Sequence, residues 1–171
     1  MKCATGNCDS SLLLDNKGNI YGLGNNDKRI FGLDMKKLKY PIKLDINNIK
    51  VKKIYIGFLN CYLIDNNGKC FGIGDNSYFQ ISEEPSEKIN KWTNIPLPDN
   101  CKRFIECAAG ENYLLCIIER NDGQNKLYAK GNNSLCQCGV NTENYDKKII
   151  KLVQCENSLN ISFKKIYTRN N

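Results

Sequence analysis

The stretch Leu63-Ile64-Asp65-Asn66-Asn67-Gly68-Lys69-Cys70-Phe71-Gly72-Ile73-Gly74-Asp75-Asn76 contains two apolar runs separated by a short polar segment. Asn-Gly between two apolar runs indicates a β-hairpin, and it predicts a type I′ turn in which both central residues have positive φ. Similar stretches surround Gly18 and Gly123, so the three turn glycines are spaced 50 and 55 residues apart. Three copies at such a period predict a repeat architecture.

Each period holds about four short segments with strand character, and no segment has a convincing helical period. Four-stranded repeats of this length are typical of β-propeller blades. We therefore predict an all-β fold: a partial β-propeller of about three four-stranded blades plus the first strand of a fourth, as one structural domain or part of a larger propeller. The predicted repeats span 1–50, 51–100 and 101–162, and 163–171 begins a fourth because 163–168 copies 51–56. A longer hairpin loop at 119–125 is expected to account for the wider third spacing.

Composition excludes several kinds of chemistry. The 171 residues include ten cysteines and no histidine. Without histidine, Ser-His-Asp and Cys-His catalytic groups are excluded, and a zinc site would depend on thiolates or carboxylates alone. Cys136 and Cys138 form the one close cysteine pair, so we predict no metal site and interpret the cysteines as small core residues. No phosphate-binding loop occurs, and we predict neither a cofactor nor an enzyme.

The sequence also favours a cellular compartment. No apolar run approaches the length of a membrane span, and the first residues lack the apolar segment of a secretion signal. We therefore expect an intracellular protein, cytoplasmic or nuclear, with reduced thiols and no membrane partner.

The repeat itself resembles a known family. Its pattern is Ala-x-Gly, an apolar strand, Asp/Asn-Gly, an aromatic residue, Gly-x-Asn and finally Gly-Gln-Leu-Gly, which resembles the repeat of the regulator of chromosome condensation family. The last element is degenerate here, as Arg29-Ile30-Phe31-Gly32, Phe79-Gln80-Ile81-Ser82 and Cys136-Gln137-Cys138-Gly139. The family's tryptophan before the glycine of Gly-x-Asn is replaced by Leu23, Ile73 and Lys130. These departures identify a divergent member.

The resemblance implies two classes of function. Most family members resemble interaction domains, which makes this chain a non-catalytic protein-binding module or scaffold. The founding member implies the alternative, a guanine-nucleotide exchange factor for a Ran-like small GTPase or a chromatin-associated binder. Nucleotide release from small GTPases would discriminate between the two classes. Family propellers resemble seven-bladed rings, so we expect either a fragment of a longer propeller or a ring that another chain or another copy completes.

The repeated glycines and asparagines are interpreted as structural. The glycines turn hairpins, permit close approach of backbone segments or take positive φ; they are Gly18, Gly24, Gly68, Gly74, Gly123 and Gly131. Asn26, Asn76 and Asn133 are expected to hydrogen-bond local backbone. The alternative for these asparagines is a ring of ligand-binding side chains at the mouth of the channel.

The positive charge is concentrated in one segment. Between positions 28 and 53 the chain has nine Lys or Arg and two Asp, an excess equal to the net charge of +7 for the whole chain. These lysines either coat solvated strand edges or attract an acidic protein or a nucleic-acid backbone. The candidate partner-binding residues are Lys36, Lys37, Lys39 and Lys43.

Overall fold

The computed structural model describes residues 3–140, 148–155 and 161–167, and this part of the chain is all-β. Its strands form three four-stranded antiparallel sheets, here called blades 1, 2 and 3, with the orders β1-β2-β3-β4, β5-β6-β7-β8 and β9-β10-β11-β12. The predicted fold class is confirmed. The strands are β1 (Cys3–Gly6), β2 (Ser10–Leu14), β3 (Ile20–Asn25), β4 (Lys37–Lys43), β5 (Val51–Ile56), β6 (Asn60–Asp65), β7 (Cys70–Asp75), β8 (Lys88–Ile95), β9 (Cys101–Ala109), β10 (Tyr113–Arg120), β11 (Asn125–Asn132) and β12 (Lys148–Gln154).

Successive side chains of a strand point to opposite faces of its sheet. The blades pack face to face because these faces carry apolar side chains. Leu12 and Leu14 of blade 1 share one apolar core with Leu63 of blade 2. A second core joins blade 2 to blade 3 and includes Ile64 and Leu114. The inner strands β1, β5 and β9 contact one another in sequence and border a cavity of about 570 Å³. Within the described residues no helix is long and apolar enough to span a membrane.

The hairpin turns differ from the predicted type I′ geometry. Gly68 has a φ of 79°, but neither Asn66 nor Asn67 has positive φ, so the type I′ prediction is wrong. The Gly68 N–H donates to the Asp65 carbonyl (3.1 Å) and the Asp65 N–H donates to the Lys69 carbonyl (2.9 Å). This pattern is a three-residue loop in which only the last residue is left-handed. The Asp65 carboxylate fixes it by accepting the N–H groups of Asn67 and Lys69.

The third hairpin has the same loop rather than a longer one. The Arg120 N–H donates to the Gln124 carbonyl and the Gly123 N–H donates to the Arg120 carbonyl, as at the other two turns. The expected long loop at 119–125 is therefore wrong. The hairpin is longer because β10 and β11 each have 8 residues, whereas β6 and β7 each have 6.

The predicted fourth repeat is described only over 163–167, and 168–171 lie outside the described residues. Residues 163–167 form no strand there. Strand structure requires ladder hydrogen bonds to a neighbour, and the described chain pairs no neighbouring strand with this segment. Ile166 and Tyr167 instead border the cavity beside Tyr55 and Glu106.

Candidate protein-interaction surface

The lysines predicted to bind a partner lie on and beside β4, the outer edge strand of blade 1. Leu38 is buried and anchors the strand to the core, while Tyr40 is 75% exposed. All four ammonium groups are exposed, and within the described residues none forms an ion pair or a hydrogen bond. The structure therefore places the four lysines on one basic edge, here called the β4 edge: Lys36, Lys37, Lys39 and Lys43.

The outer strands of the other two blades also carry lysines. β8 contains Lys88 and Lys91, and β12 contains Lys148 and Lys151. Charged residues on edge strands oppose pairing with another sheet, which accounts for lysines on all three edges. Two of these side chains bind the preceding blade, since Lys88 Nζ donates to the Lys28 carbonyl and Lys148 Nζ donates to the Ser77 carbonyl.

The asparagines after the repeated glycines are buried and do not form an exposed ring. Asn26 Oδ1 accepts the Phe31 N–H (3.1 Å), and its Nδ2 donates to the Leu33 and Met35 carbonyls. Asn76 binds Ile81 N–H and Asn133 binds Cys138 N–H in the same way. Each amide thus holds the following loop from inside, because a buried amide needs partners for both of its polar atoms. This geometry contradicts a ring of ligand-binding asparagines at the channel mouth.

A repeated left-handed residue lies in each of these loops, and sequence reasoning missed it. Arg29, Phe79 and Cys136 have φ of 53°, 61° and 58°. They occupy the first position of the degenerate Gly-Gln-Leu-Gly element, where the family resemblance implies glycine. Glycine adopts this conformation without steric cost, whereas other residues adopt it at a cost. The missing glycine was therefore the available sequence signal.

The repeated glycines all have positive φ: Gly18, Gly24, Gly68, Gly74, Gly123 and Gly131. At Gly74 an added Cβ would collide with the Leu59 carbonyl oxygen. The next residue, Asp75, donates its N–H to that same carbonyl (2.9 Å). The left-handed glycine therefore brings β7 close enough to the preceding loop for this bond. Gly24 and Gly131 have equivalent approaches, to Asp9 and Asn112.

Lys130 is fully buried between blades 2 and 3, and sequence reasoning did not identify it as an interior group. Its Nζ atom has no hydrogen-bond partner. Burial lowers the pKa of this ammonium group from 10.5 to about 8, against the smaller opposing effects of Glu83 and Cys116. Lys130 occupies the ladder position in blade 3 that Ile73 occupies in blade 2, because Lys130 lies opposite Leu114 and Ile73 lies opposite Cys61. The available sequence signal was therefore a lysine at a repeat position that is apolar in blade 2.

Three cysteines cluster near Lys130 in the same interface. The sulfur of Cys107 lies 3.8 Å from that of Cys70 and 3.4 Å from that of Cys116. Burial raises the pKa of all three thiols, which keeps them protonated and unreactive. Among the described residues no group of acidic, cysteine or histidine side chains could hold a metal ion.

One charged cluster lies at the inner strands. Lys53 Nζ contacts Glu106 Oε2 at 2.7 Å, and the Tyr55 hydroxyl donates to Glu106 Oε1 at 2.9 Å. Both bonds join β5 to β9 at the border of the cavity. Both oxygens of the Glu106 carboxylate are already bound. This cluster therefore connects two blades and offers no free catalytic group.

No family model matches the chain. A search of known proteins found an RCC1 repeat-containing protein of Dictyostelium discoideum that is 36% identical over 80 residues, covering 44% of this chain and 16% of that protein. RCC1 denotes the regulator of chromosome condensation. Together with the three-bladed fold, this match bears out the resemblance to RCC1 repeats that the sequence pattern indicates. The chain is similar to RCC1 repeat proteins, and its repeats are divergent.

Solved RCC1-family structures share its fold. The structure of Prp20p from Saccharomyces cerevisiae, reported with its binding to Gsp1p and histones, matches with a TM-score of 0.76 and 23% identity over 97% of this chain and 40% of that one. Yeast RCC1 (Prp20) bound to Kap60 gives a TM-score of 0.78 and 22% identity over 98% and 39%. Human WBSCR16 gives 0.73 and 18% over 89% and 37%. The RCC1-like chain thus spans less than half the length of each of these proteins.

Proposed function

We propose that this RCC1-like chain is a non-catalytic protein-interaction module, intracellular in the cytoplasm or nucleus, whose β4 edge binds an acidic protein surface. The observation that carries the proposal is the contrast between outer strands. Lys88 and Lys148 are bound to main-chain carbonyls of neighbouring blades, whereas the ammonium groups of the β4 edge are unpaired and exposed.

The composition of the β4 edge favours a protein over a nucleic acid. Tyr40 supplies exposed apolar area among the lysines, as aromatic residues do in protein interfaces. Base stacking on single strands uses several aromatic platforms, and within the described strand Tyr40 is the one aromatic residue. A nucleic acid could contact this edge through its phosphates alone, with the strong salt dependence that such contacts have.

The test is a charge reversal on the β4 edge. K36E/K39E/K43E is compared with K50E/K52E/K69E, which makes the same change in charge at exposed positions outside the edge. The probes are polyglutamate as an acidic polypeptide, poly-uridylate as a phosphate backbone, and a Ran-like GTPase. Binding of polyglutamate or the GTPase that is lost only in the first variant supports the proposal. Equal binding by both variants, or binding of poly-uridylate alone, overturns it.

The alternative is exchange activity toward a Ran-like GTPase, or binding to chromatin. It is favoured by the structural likeness to Prp20p, a protein whose binding to Gsp1p and histones has been described. Release of labelled GDP from a Ran-like GTPase tests the first activity, and binding to core histones tests the second. Accelerated GDP release would replace the interaction module with an exchange factor as the proposed function.

A further inference from the structure

A lysine at the start of the outer strand binds blade 2 to blade 1 and blade 3 to blade 2. Lys88 is the first residue of β8, pairs with Asp75 in the ladder, and donates from Nζ to the Lys28 carbonyl at 2.6 Å. Lys148 is the first residue of β12, pairs with Asn132, and donates to the Ser77 carbonyl at 3.0 Å. Both acceptors lie in the loop that follows a buried asparagine of the preceding blade.

Lys37 is the third member of this series. It is the first residue of β4 and pairs with Asn25, the ladder position that Asp75 and Asn132 occupy in the other blades. Its side chain is exposed, and no described residue accepts a hydrogen bond from its ammonium group. The same ladder position therefore holds a bound lysine in blades 2 and 3 and a free one in blade 1.

The matching acceptor lies in blade 3. The loop after Asn133 has the backbone of the two loops that bind lysines. The Cys136 N–H donates to the Asn133 carbonyl as Arg29 does to Asn26 and Phe79 does to Asn76. In this loop Leu135 is 84% exposed, and no described lysine binds the Ser134 or Leu135 carbonyl. The loops of blades 1 and 2 accept a hydrogen bond from a lysine of the next blade, and the equivalent loop of blade 3 has no described lysine bound to it.

The outer faces of blades 1 and 3 both expose part of their apolar side chains. The face of blade 2 that packs on blade 1 includes Leu63 and Ile73, both buried. The ladder-equivalent residues of blade 1 are Leu13 and Leu23, and they are only half-buried. On blade 3, the face directed away from blade 2 includes Leu115 and Leu127, which are also half-buried.

We propose that a second copy of this chain docks its blade 3 against blade 1, head to tail, with Lys37 donating to the Ser134 or Leu135 carbonyl of that copy. One chain carries both halves of the contact, which is why a second copy fits it. The contact joins two different surfaces, so it is a heterologous interface that leaves a free surface at each end of a dimer. The proposal uses one residue of the β4 edge, Lys37. The charge reversal that tests partner binding changes Lys36, Lys39 and Lys43 and leaves Lys37 in place, so the two proposals can fail separately.

Sedimentation velocity over a wide concentration range tests the association. Lys37→Met removes the donor, and Leu135→Arg places a cation beside the acceptor loop. Both sites are exposed, so both variants should fold. We expect association of the wild type and a loss of at least about fivefold in either variant, since charged hydrogen bonds carry much of such an interface. Lys36→Met is the matched control and should associate like the wild type.

Mixing the two variants gives the decisive test. A mixture of the Lys37→Met and Leu135→Arg variants retains one intact interface per pair, so it should form heterodimers with near wild-type affinity and no larger species. An internal control is Lys88→Met, which should lower the melting temperature of the chain itself, whereas Lys37→Met should not. A wild type that stays monomeric, a Lys37→Met variant that associates like Lys36→Met, or a mixture without heterodimers overturns the proposal.

Discussion

The two blade interfaces have the same backbone and different chemistry. Between blades 1 and 2 the core is built mainly of Leu, Ile, Val, Phe and Trp side chains. Between blades 2 and 3 the core includes the thiols of Cys70, Cys107 and Cys116 together with Tyr62 and the unpaired ammonium of Lys130. The turns and buried asparagines are repeated in each blade, so they fix the blade geometry while the core residues vary. The second interface should consequently contribute less stability than the first.

The largest expected difference comes from truncating equivalent core residues. Leu63 and Cys116 occupy the same ladder position, opposite Phe71 and Tyr128, and both are fully buried. Leu63→Ala should lower the free energy of unfolding by about 3 kcal/mol, because a large cavity remains. Cys116→Ala removes one sulfur and should cost about 1 kcal/mol. Urea denaturation measures both values, and equal losses would contradict the difference between the interfaces.

Lys130→Ile should stabilise the interface between blades 2 and 3 and so reduce its difference from the first interface. It replaces the buried ammonium by the residue type found at the equivalent position of blade 2, Ile73. The pKa of Lys130 is about 8 in the folded chain, below its ordinary 10.5. This shift corresponds to a destabilisation on the order of 3 kcal/mol while the group is protonated in both states. At pH 7 the variant should therefore be more stable than the wild type by about 2 kcal/mol.

The pH dependence separates charge from packing in this variant. Between pH 8 and pH 10.5 the unfolded chain keeps the proton that the folded chain has lost, so wild-type stability rises with pH. Below pH 8 the cost of burying the charge is constant. The advantage of Lys130→Ile should therefore be largest at pH 7 and small at pH 10. Urea midpoints at both pH values measure it, and an advantage that is equal at both would attribute the effect to packing.

Much of this fold could be predicted from sequence because its signals are local. Asp or Asn before a turn glycine, flanked by apolar runs, recurs with the blade period, and the predicted fold class and the resemblance to RCC1 repeats are confirmed. The turn type was not predicted correctly because Asn67-Gly68 alone does not show that the Asp65 carboxylate binds two N–H groups of the loop. That interaction favours a three-residue loop over the two-residue type I′ turn.

The candidate surface was less predictable. Net charge located the lysines of the β4 edge, and their role in binding a partner stays a prediction. The equivalence of Lys37 with Lys88 and Lys148 was invisible, because ladder register depends on a bulge between Gly22 and Gly24 that sequence spacing does not reveal. Lys130 was also missed, since strand alternation places a residue on a face without showing whether another blade covers that face.

The smallest expected difference between the interfaces concerns their turns. Gly18 and Gly68 both have left-handed φ, 87° and 79°. Around Gly18 nothing lies within 4 Å of an added Cβ, whereas at Gly68 an added Cβ would meet the Cβ of Arg103 at 2.5 Å. The Gly68 carbonyl also accepts the Phe104 N–H at 2.8 Å, so this turn is attached to β9 of blade 3.

Alanine at each position separates backbone strain from interface contact. Gly18→Ala should cost about 1 kcal/mol, the strain of a left-handed alanine. Gly68→Ala adds a steric clash with β9 and should cost about 2 kcal/mol. Gly123 is a second strain-only control, because its turn is also left-handed and nothing lies within 4 Å of an added Cβ. Urea midpoints of the three variants give the comparison. If Gly68→Ala costs no more than Gly18→Ala, the contact between this turn and Arg103 contributes nothing to the second interface, and its lower stability arises from Lys130 and the thiols alone.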